Sequence, residues 1–384
     1  MRVLVMSSPV PTHLTPMAPL CWAIRAAGHP LLVVGRPDLA AAAASCGLSL
    51  AAIGERYDEA GLRRRRGVPW RPPRDDDPPQ EPPWPKLGEM WRTRIAADLP
   101  AVLSLARRWR PDLILADPLE FAALAVGGLL GVPVVQHRFG NDAWSLQVAE
   151  PAREQLAGLC RESGLPDGLP SATLLLDVRP PSLRCGPVHH PLRPVPSNGT
   201  GTRAPWLDER RAARRVCVTL GRRVLDLGAM PLLQRVLRAC ATPGVEVVTP
   251  IEERWRADLG PVPPTVRVVD PLPLELFLDT CDLVVHHAGS STGNTAVALG
   301  VRQLVLPVDV FGRDLAAAVH RAGIGAALDG AGQEDPDLLR ATVTRLLDDP
   351  AVAGRARAVA REVDEMPSPA AVVQDLVRLS GRAA

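Results

Sequence analysis

The sequence predicts an α/β protein made of two doubly wound parallel-sheet domains, and three observations lead to that prediction. Short apolar runs rich in β-branched residues alternate with helical stretches along most of the 384 residues, which is typical of parallel sheets covered by helices. A segment rich in Pro, Gly, Ser and Thr (193–206) interrupts the alternation and indicates a linker. The same strand–turn–helix–strand unit begins at Asp112 and again at Asp282, once on each side of that linker.

The first half opens with a strand rather than a leader, because its apolar stretch is too short for a signal peptide. Gly28 is a good stop for the first helix. The strands predicted in this half are 3–6, 31–34, 113–116 and 132–136, and the helices are 15–27, 91–109 and 119–130.

The second half repeats the alternation, and Asp335 followed by Pro336 has the residue types of a helix start. Its predicted strands are 216–220, 245–250 and 265–269, with a helix near 229–241 and the strand–turn–helix–strand unit over 282–307. We therefore expect an N-terminal domain over 1–195, a linker over 196–210 and a C-terminal domain over 211–366. A last helix at about 367–384 is expected to pack back on the first domain.

Composition excludes several classes of function. The net charge of +2 gives no electrostatic basis for binding nucleic acid. Seven scattered cysteines form no CxxC pair, so we expect reduced thiols in a cytoplasmic protein and neither a disulfide framework nor a zinc site. The longest apolar run, 121–135, contains Gly and Pro and is too short to span a membrane.

Residues 61–86 are rich in proline and charge, which excludes a regular helix and a central strand there. We interpret this segment as a solvated loop. The alternative is a lid over a ligand pocket, with Trp70 and Trp84 as its apolar contacts.

The turn after the strand that begins at Leu283 carries His287, Gly289 and a run of hydroxyl residues that opens a helix. The first amides of a helix lack partners and attract anions, so the residues 290–293 form a candidate diphosphate site. The alternative is that a Ser or Thr simply caps the helix. His286, the first of the paired histidines, is expected to hold the strand end.

The whole chain resembles the GT-B glycosyltransferases, and in particular those that modify bacterial natural products. The similarity is clearest in HHAGSSTGNTAVALGVRQLVLP, and it extends in order through HLTPMAPLCWAIRAAGH, RPDLILAD, RPVPSNG, VCVTLG and MPSPAAVV. It implies two Rossmann-like domains that face a central cleft, with the sugar nucleotide held by the second. The donor-binding residues implied are His287, Gly289, Ser290, Ser291, Thr292 and Leu272.

Departures from the family pattern bear on the donor. Plant relatives that use uridine donors carry Glu at the position of Thr295, and its absence favours a thymidine diphosphate donor, since Thr cannot accept both ribose hydroxyl hydrogen bonds. Phe311 and Gly312 replace the usual Asp-Gln, which suits a deoxysugar, and Asp309 is a nearby polar substitute. Arg222 and Arg223 follow a glycine where relatives often have Ser or Thr. We expect at least one of them, with Arg222 as the first candidate, to face the diphosphate, and the alternative is a solvated surface residue.

The resemblance assigns the catalytic base to His13, in the loop after the first strand. Asp117 follows a strand of the same domain and is expected to orient that imidazole and to stabilise its protonated form. Asp142 or His137 could assist or replace this base. The acceptor is expected to contact Trp91, His137 and Asp142.

The function predicted is an inverting, metal-independent transfer of a deoxysugar from a dTDP-sugar to a polyketide-like or aromatic acceptor, with O- or C-linkage. No resident cofactor or metal is expected. The partners expected are the acceptor and the sugar nucleotide, and a homodimer stays open. The alternatives are a non-catalytic homologue that assists another glycosyltransferase and, less favoured, an epimerase.

Overall fold

The computed structural model describes residues 1–57, 74, 84–140, 143–184, 186, 189–209, 212–309 and 312–381, without the side chains of 143 and 144. It confirms the two-domain α/β architecture. Each domain is built on one sheet, and every strand pairing among the described residues is parallel.

The first sheet has the order β3-β2-β1-β4-β5-β6-β7. Its strands are β1 (Val3–Met6), β2 (Leu31–Gly35), β3 (Leu50–Ala52), β4 (Leu113–Ala116), β5 (Val134–His137), β6 (Leu174–Asp177) and β7 (His190–Pro191). Strand order reverses between β1 and β4, and the carboxyl edge at such a switch point is where ligands bind in doubly wound sheets.

Helices cover both faces of this sheet. They are α1 (Pro11–Leu14), α2 (Ala18–Ala26), α3 (Ala40–Ser45), α4 (Trp84–Trp109), α5 (Phe121–Leu130), α6 (Ala143–Gln147) and α7 (Ala149–Glu162). Apolar residues of α2 and α3 pack on one face, and those of α4, α5 and α7 pack on the other.

The second sheet has the order β10-β9-β8-β11-β12-β13, so its switch point lies between β8 and β11. Its strands are β8 (Arg214–Thr219), β9 (Val245–Pro250), β10 (Val266–Val269), β11 (Leu283–His286), β12 (Arg302–Val305) and β13 (Gly325–Ala327). The helices are α8 (Arg222–Asp226), α9 (Met230–Cys240), α10 (Arg256–Leu259), α11 (Ser290–Ala298), α12 (Arg313–Arg321), α13 (Gly330–Glu334), α14 (Pro336–Asp348) and α15 (Pro350–Glu365).

The last helix, α16 (Pro369–Leu379), returns to the first domain. Its Val372, Val373, Leu376 and Val377 are buried in the same apolar cluster as α2 and β1. On the opposite side of this crossing, Ser182 of the first domain donates its backbone N–H to Glu362 of α15 at 2.8 Å. The two domains are therefore in direct contact at several points.

Some predicted boundaries were wrong, and the reasons are local. The helix predicted to begin at Trp91 begins at Trp84, because Pro85 falls in the first helical turn, where proline is tolerated. The helix predicted to begin at Thr15 starts there as a 3₁₀ turn (Thr15–Met17), continues as α2 from Ala18, and is preceded by the short helix α1. The expected strand near 216 begins two residues earlier, at Arg214.

The rest of the proline-rich segment, including Trp70, lies outside the described residues apart from Arg74, whose carbonyl accepts a hydrogen bond from Arg313 at 2.7 Å. Among the described residues, no helix combines the length and the apolar composition needed to cross a lipid bilayer.

Candidate active site

The first group of site residues lies at the switch point of the N-terminal sheet. Ser7 and Ser8 follow β1, and Asp117 is the first residue after β4. Because β1 and β4 are hydrogen-bonded neighbours, these residues meet at the carboxyl edge of the sheet. The Asp117 side chain is completely buried, and an ionised carboxylate in that position needs several donors.

Asp117 has those donors. Its Oδ2 accepts from the Ser8 amide at 2.7 Å, from Ser8 Oγ at 3.0 Å and from Ser7 Oγ at 3.2 Å, and its Oδ1 accepts from the Leu119 amide at 2.9 Å. Burial alone would raise the pKa of Asp117, but neighbouring His13 and the backbone donors outweigh it and hold the pKa below its ordinary value. The carboxylate is therefore charged at neutral pH.

His13 lies on α1 and reaches Asp117 through Ser8. Its Nδ1 is 2.6 Å from Ser8 Oγ and 3.6 Å from Asp117 Oδ1, and the second distance is too long for a hydrogen bond. A hydroxyl has one proton, so if Ser8 donates to Asp117 it accepts from the Nδ1–H of His13. That tautomer leaves the Nε2 lone pair of His13 available to a substrate.

Phe139, in the loop after β5, packs on the same imidazole. The two ring centroids are 4.2 Å apart with an interplanar angle of 34°. His13 retains 20% side-chain exposure, so the ring and the serine fix it without closing it to a ligand. Neither Ser8 nor Phe139 was among the residues predicted from sequence. The only signal for Ser8 was a hydroxyl pair after the first strand, at the edge shared with Asp117.

Two of the predicted acceptor residues, Trp91 and His137, are buried. Trp91 is 4% exposed and packs edge-on against Phe121 in the domain core, and its assignment as an acceptor contact stays a prediction. His137 is buried, its Nδ1 is 2.7 Å from the Arg138 carbonyl, and burial lowers its pKa to about 4. It is therefore a neutral internal residue. Asp142, the alternative base, lies outside the described residues.

The second group lies at the equivalent switch point of the C-terminal sheet, where α11 begins. Gly289 is the N-cap residue, and no side chain caps the first turn. The alternative in which a serine or threonine caps this helix is therefore wrong. The amides of the first turn point out of the helix beside the hydroxyls of Ser290, Ser291 and Thr292, which is the arrangement that binds a phosphate.

His287 lies next to this helix end, and two glycines make room for its ring. A Cβ atom added at Gly289 or at Gly221 would lie 2.7 Å from the imidazole, closer than side chains tolerate. Burial lowers the pKa of His287 to about 4, and the positive charge of Arg223 acts in the same direction. A neutral imidazole can donate one N–H to an anion.

His286 has a different environment. It is fully buried, its Nε2 is 3.0 Å from Gln303 Oε1 on β12, and burial lowers its pKa to about 3. It thus joins two strands, while His287 faces the helix end.

The two arginines after β8 have different surroundings. Arg222 is 71% exposed, and its Nε is 3.7 Å from Glu252. Arg223 lies 3.6 Å from Asp309 and close enough to His287 to affect its pKa. The structure therefore favours Arg223 over Arg222 as the cation beside the candidate phosphate site.

The loop after β12 also belongs to this second group of site residues. Asp309 Oδ1 accepts from the Gly312 amide at 3.2 Å, and a Cβ atom at Gly312 would lie 2.7 Å from that of Ala288. Ala288 itself has a φ of 70°, an unusual conformation for a residue other than glycine. Phe311 lies outside the described residues.

Leu272 and Thr295, the two other residues that bear on the predicted donor, lie in the same domain. Leu272 is partly buried against the apolar cluster on one face of the second sheet. Thr295 is buried, and its Oγ1 lies 2.9 Å from Asn198 Oδ1 of the linker and 2.8 Å from the Ser291 carbonyl.

The two groups of residues face each other across the domain boundary. Asn294 of α11 donates a hydrogen bond from Nδ2 to the carbonyl of Phe139 at 2.7 Å. His13 thus stands opposite a helix end suited to a diphosphate. Within the described part of the chain, no three His, Cys, Asp or Glu side chains gather as metal ligands would.

Two parallel-sheet domains with this pair of facing sites define a glycosyltransferase of the GT-B class. Residues 88–221 and 234–379 match the models described as the N-terminal and C-terminal domains of erythromycin biosynthesis protein CIII-like proteins. The chain belongs to this family of natural-product glycosyltransferases, which confirms the resemblance found in the sequence.

Individual relatives agree with this assignment. The chain is 34% identical to L-demethylnoviosyl transferase of Streptomyces niveus, covering 98% of this chain and 97% of the relative. It is 31% identical to aclacinomycin-T 2-deoxy-L-fucose transferase of Streptomyces galilaeus, covering 99% and 96%. The structure of spinosyn rhamnosyltransferase SpnG complexed with thymidine diphosphate matches with a TM-score of 0.86 at 38% identity, covering 98% and 100%.

Proposed function

We propose that this enzyme is an inverting, metal-independent glycosyltransferase that moves a deoxysugar from a thymidine diphosphate donor to a polyketide-like or aromatic acceptor. The observation that carries the proposal is the His13–Ser8–Asp117 chain of contacts, opposite the uncapped end of α11. One group is suited to take a proton from a nucleophile, and the other is suited to receive an anionic leaving group.

In the proposed reaction, Nε2 of His13 takes the proton of an acceptor hydroxyl. The acceptor oxygen forms a bond to the anomeric carbon of the sugar while the bond from that carbon to the diphosphate oxygen breaks, and the electron pair leaves with the diphosphate. Attack from the face opposite the leaving group inverts the anomeric configuration. The imidazolium formed on His13 is stabilised through Ser8 by the charged Asp117. A C-linkage to a phenol would begin with the same deprotonation, so His13 would serve either outcome.

The groups around the end of α11 can meet the charge of the departing diphosphate without a metal. They are the first-turn amides, the hydroxyls of residues 290–292, the neutral imidazole of His287 and the guanidinium of Arg223. Donors that are already oriented toward developing charge are a large term in enzymatic rate enhancement.

Thymidine is favoured as the nucleoside because Thr295 has no carboxylate to hold two ribose hydroxyls, and its hydroxyl already contacts Asn198 and Ser291. SpnG, a relative by structure, is described in complex with thymidine diphosphate. Several relatives are named as transferases of deoxy or amino sugars, among them the aclacinomycin-T 2-deoxy-L-fucose transferase.

A cavity in the N-terminal domain supports an acceptor of polyketide size. It has a volume of about 540 Å³ and lies beside Pro118, the residue after Asp117. Small-molecule sites commonly have volumes of roughly 300–1,000 Å³. Its wall includes Phe121 and residues of α6 and α7, such as Leu146 and Ala149.

The proposal is tested by separating donor binding from turnover. In calorimetry, thymidine diphosphate should bind more tightly than uridine diphosphate, and equal affinities would contradict the nucleotide assignment. With a dTDP-deoxysugar and a panel of macrolactone and aromatic polyketide aglycones, His13→Ala should lower turnover at least about 100-fold, the usual contribution of a general base. Thymidine diphosphate affinity should be unchanged in that variant. Wild-type turnover in His13→Ala would exclude His13 as the base, and loss of turnover in EDTA would exclude metal independence.

A further inference from the structure

The hydrogen bond between Asn294 and Phe139 joins the two sites in a way that the proposed reaction does not itself require. Asn294 lies one turn beyond the phosphate-facing end of α11, and its Nδ2 is 2.7 Å from the Phe139 carbonyl in the other domain. The approach is close, because a Cβ atom at the next residue, Gly140, would lie 2.8 Å from Asn294 Oδ1. Only glycine lets the chain run this near to the amide.

Phe139, which accepts the hydrogen bond from Asn294, also contacts the proposed base His13. Its side chain is 8% exposed, and its ring lies over the imidazole of His13 at a centroid distance of 4.2 Å. The plane of His13 is thus set by two neighbours, the Ser8 hydroxyl at Nδ1 and the Phe139 ring on its face. An aromatic face also attracts a cation, so the ring favours the imidazolium that forms when His13 takes a proton.

We propose that Asn294 is a positioning residue for the reaction: it holds the Phe139 segment, and through the Phe139 ring it fixes the orientation of the His13 imidazole. This inference rests on the proposed function, in which His13 is the base. Asn294 does not contact His13 and is not itself a catalytic residue.

The consequence is a coupling between the donor site and the base. The helix that supplies the phosphate-facing amides is the same helix that supplies Asn294. The Phe139 contact that orients the base is therefore held in place when the C-terminal domain is seated on the N-terminal domain in the arrangement seen here. The separation of the domains would release Phe139 and leave the imidazole held by Ser8 alone of these two neighbours.

The test compares Asn294→Ala and the nearly isosteric Asn294→Asp, which places a carboxylate against the Phe139 carbonyl. Each should lower kcat about tenfold or more and leave the Kd of thymidine diphosphate within about twofold. Phe139→Leu keeps the carbonyl but removes the ring, so it should show a similar loss. The double variant Asn294→Ala/Phe139→Leu should then be no slower than Phe139→Leu alone, because a residue that acts through the ring has nothing left to position.

Glu362→Ala is the matched control, since it removes a different contact between the domains, the one to Ser182. It should leave kcat within about twofold. A spectroscopic readout needs no acceptor and no Phe139 variant: the NMR signal of the His13 ring, assigned by its loss in His13→Gln, should shift in Asn294→Ala and not in Glu362→Ala.

Three results would overturn the inference. These are wild-type kcat in Asn294→Ala, a tenfold loss of thymidine diphosphate affinity in that variant, and losses that multiply in the double variant. An unshifted His13 signal in Asn294→Ala would do the same. The proposed function is tested separately, because it is excluded if His13→Ala keeps its turnover. If His13→Ala is inactive and Asn294→Ala is fully active, only the positioning role of Asn294 is excluded.

Discussion

The contact of Ser8 with both His13 and Asp117 predicts that one hydroxyl carries much of the base's activity. Ser8→Ala deletes an oxygen that lies 2.6 Å from His13 Nδ1 and 3.0 Å from Asp117 Oδ2. The backbone amide of residue 8 is unchanged, so its 2.7 Å bond to Asp117 persists. Asp117 also keeps the donors Ser7 Oγ and the Leu119 amide, and it stays charged.

The contact that Ser8→Ala removes without replacement is therefore the one to His13. Its Nδ1 is left without the serine, and Asp117 at 3.6 Å is beyond hydrogen-bonding distance. A hydrogen bond that involves a charged group contributes about 1.5–3 kcal/mol, and here the charge appears on His13 as the reaction proceeds. Because each 1.4 kcal/mol or so corresponds to a factor of ten in rate, kcat should fall roughly 10- to 100-fold.

Ser7→Ala is the control, because Ser7 Oγ also contacts Asp117 but makes no contact with His13. The assay is kcat at saturating donor and acceptor, with the Kd of thymidine diphosphate measured in parallel. Ser7→Ala should stay within about threefold of wild type, and neither variant should change nucleotide affinity. Wild-type kcat in Ser8→Ala would refute the reasoning. Equal losses in the two variants would trace the effect to Asp117 rather than to the orientation of His13.

Two further predictions concern the donor site and stability. Arg223→Ala should weaken thymidine diphosphate binding about 5- to 10-fold in calorimetry, because the guanidinium of Arg223 lies beside His287. Arg222 is exposed, so Arg222→Ala should change the affinity less than twofold. Equal effects of the two variants would contradict the assignment of Arg223. Burial lowers the pKa of His137 to about 4 and of His286 to about 3, so the unfolded chain takes up protons before the folded chain does. The free energy of unfolding, measured with urea, should be highest above about pH 7 and should fall below pH 6.5. The expected decrease between pH 7.5 and 5.5 is about 1.4 kcal/mol per histidine. An unfolding curve that is the same at both pH values would contradict this prediction.

The fold could be predicted from sequence largely because most strands are short and buried on both sides. Val3–Met6 and Leu113–Ala116 read as continuous apolar runs, and all eight residues are buried. Edge elements were harder. Strand β7 has only the two residues His190 and Pro191, which carry no strand pattern, and the sequence predicted no strand there. Helix α4 was predicted seven residues short because proline was read as a breaker rather than as a first-turn residue.

The site could be predicted to the level of residue type and strand position, and less well to the level of partners. Asp117 and His287 lie at the carboxyl edges of their sheets, because the first residue after a strand has little freedom of position, and His13 lies near the same edge as Asp117 on the short helix after β1. Side-chain direction is a different matter. Arg222 and Arg223 are adjacent in sequence, and only the turn at Gly221, with its φ of 73°, decides which of them faces His287.

Contacts between domains could not be predicted at all from local pattern. Asn294 and Phe139 are 155 positions apart, and neither belongs to a motif that signals the other. Trp91 illustrates the same difficulty: an aromatic residue near the expected acceptor site was interpreted as a ligand contact, and in the structure it packs in the core against Phe121. Burial decides such cases, and burial depends on which helices meet.

The same topology carries opposite charge in the two domains, and the proposed reaction explains why. The first residue after β4 is Asp117, a charged carboxylate, whereas the first residue after β11 is His287, a neutral imidazole beside Arg223. A base that takes a proton works best next to a fixed negative charge, because the imidazolium is then stabilised. A diphosphate would be repelled by that charge and needs amides, hydroxyls and a cation instead. Two copies of one switch point, each with its own charge, keep these requirements apart, whereas a single site would have to compromise between them.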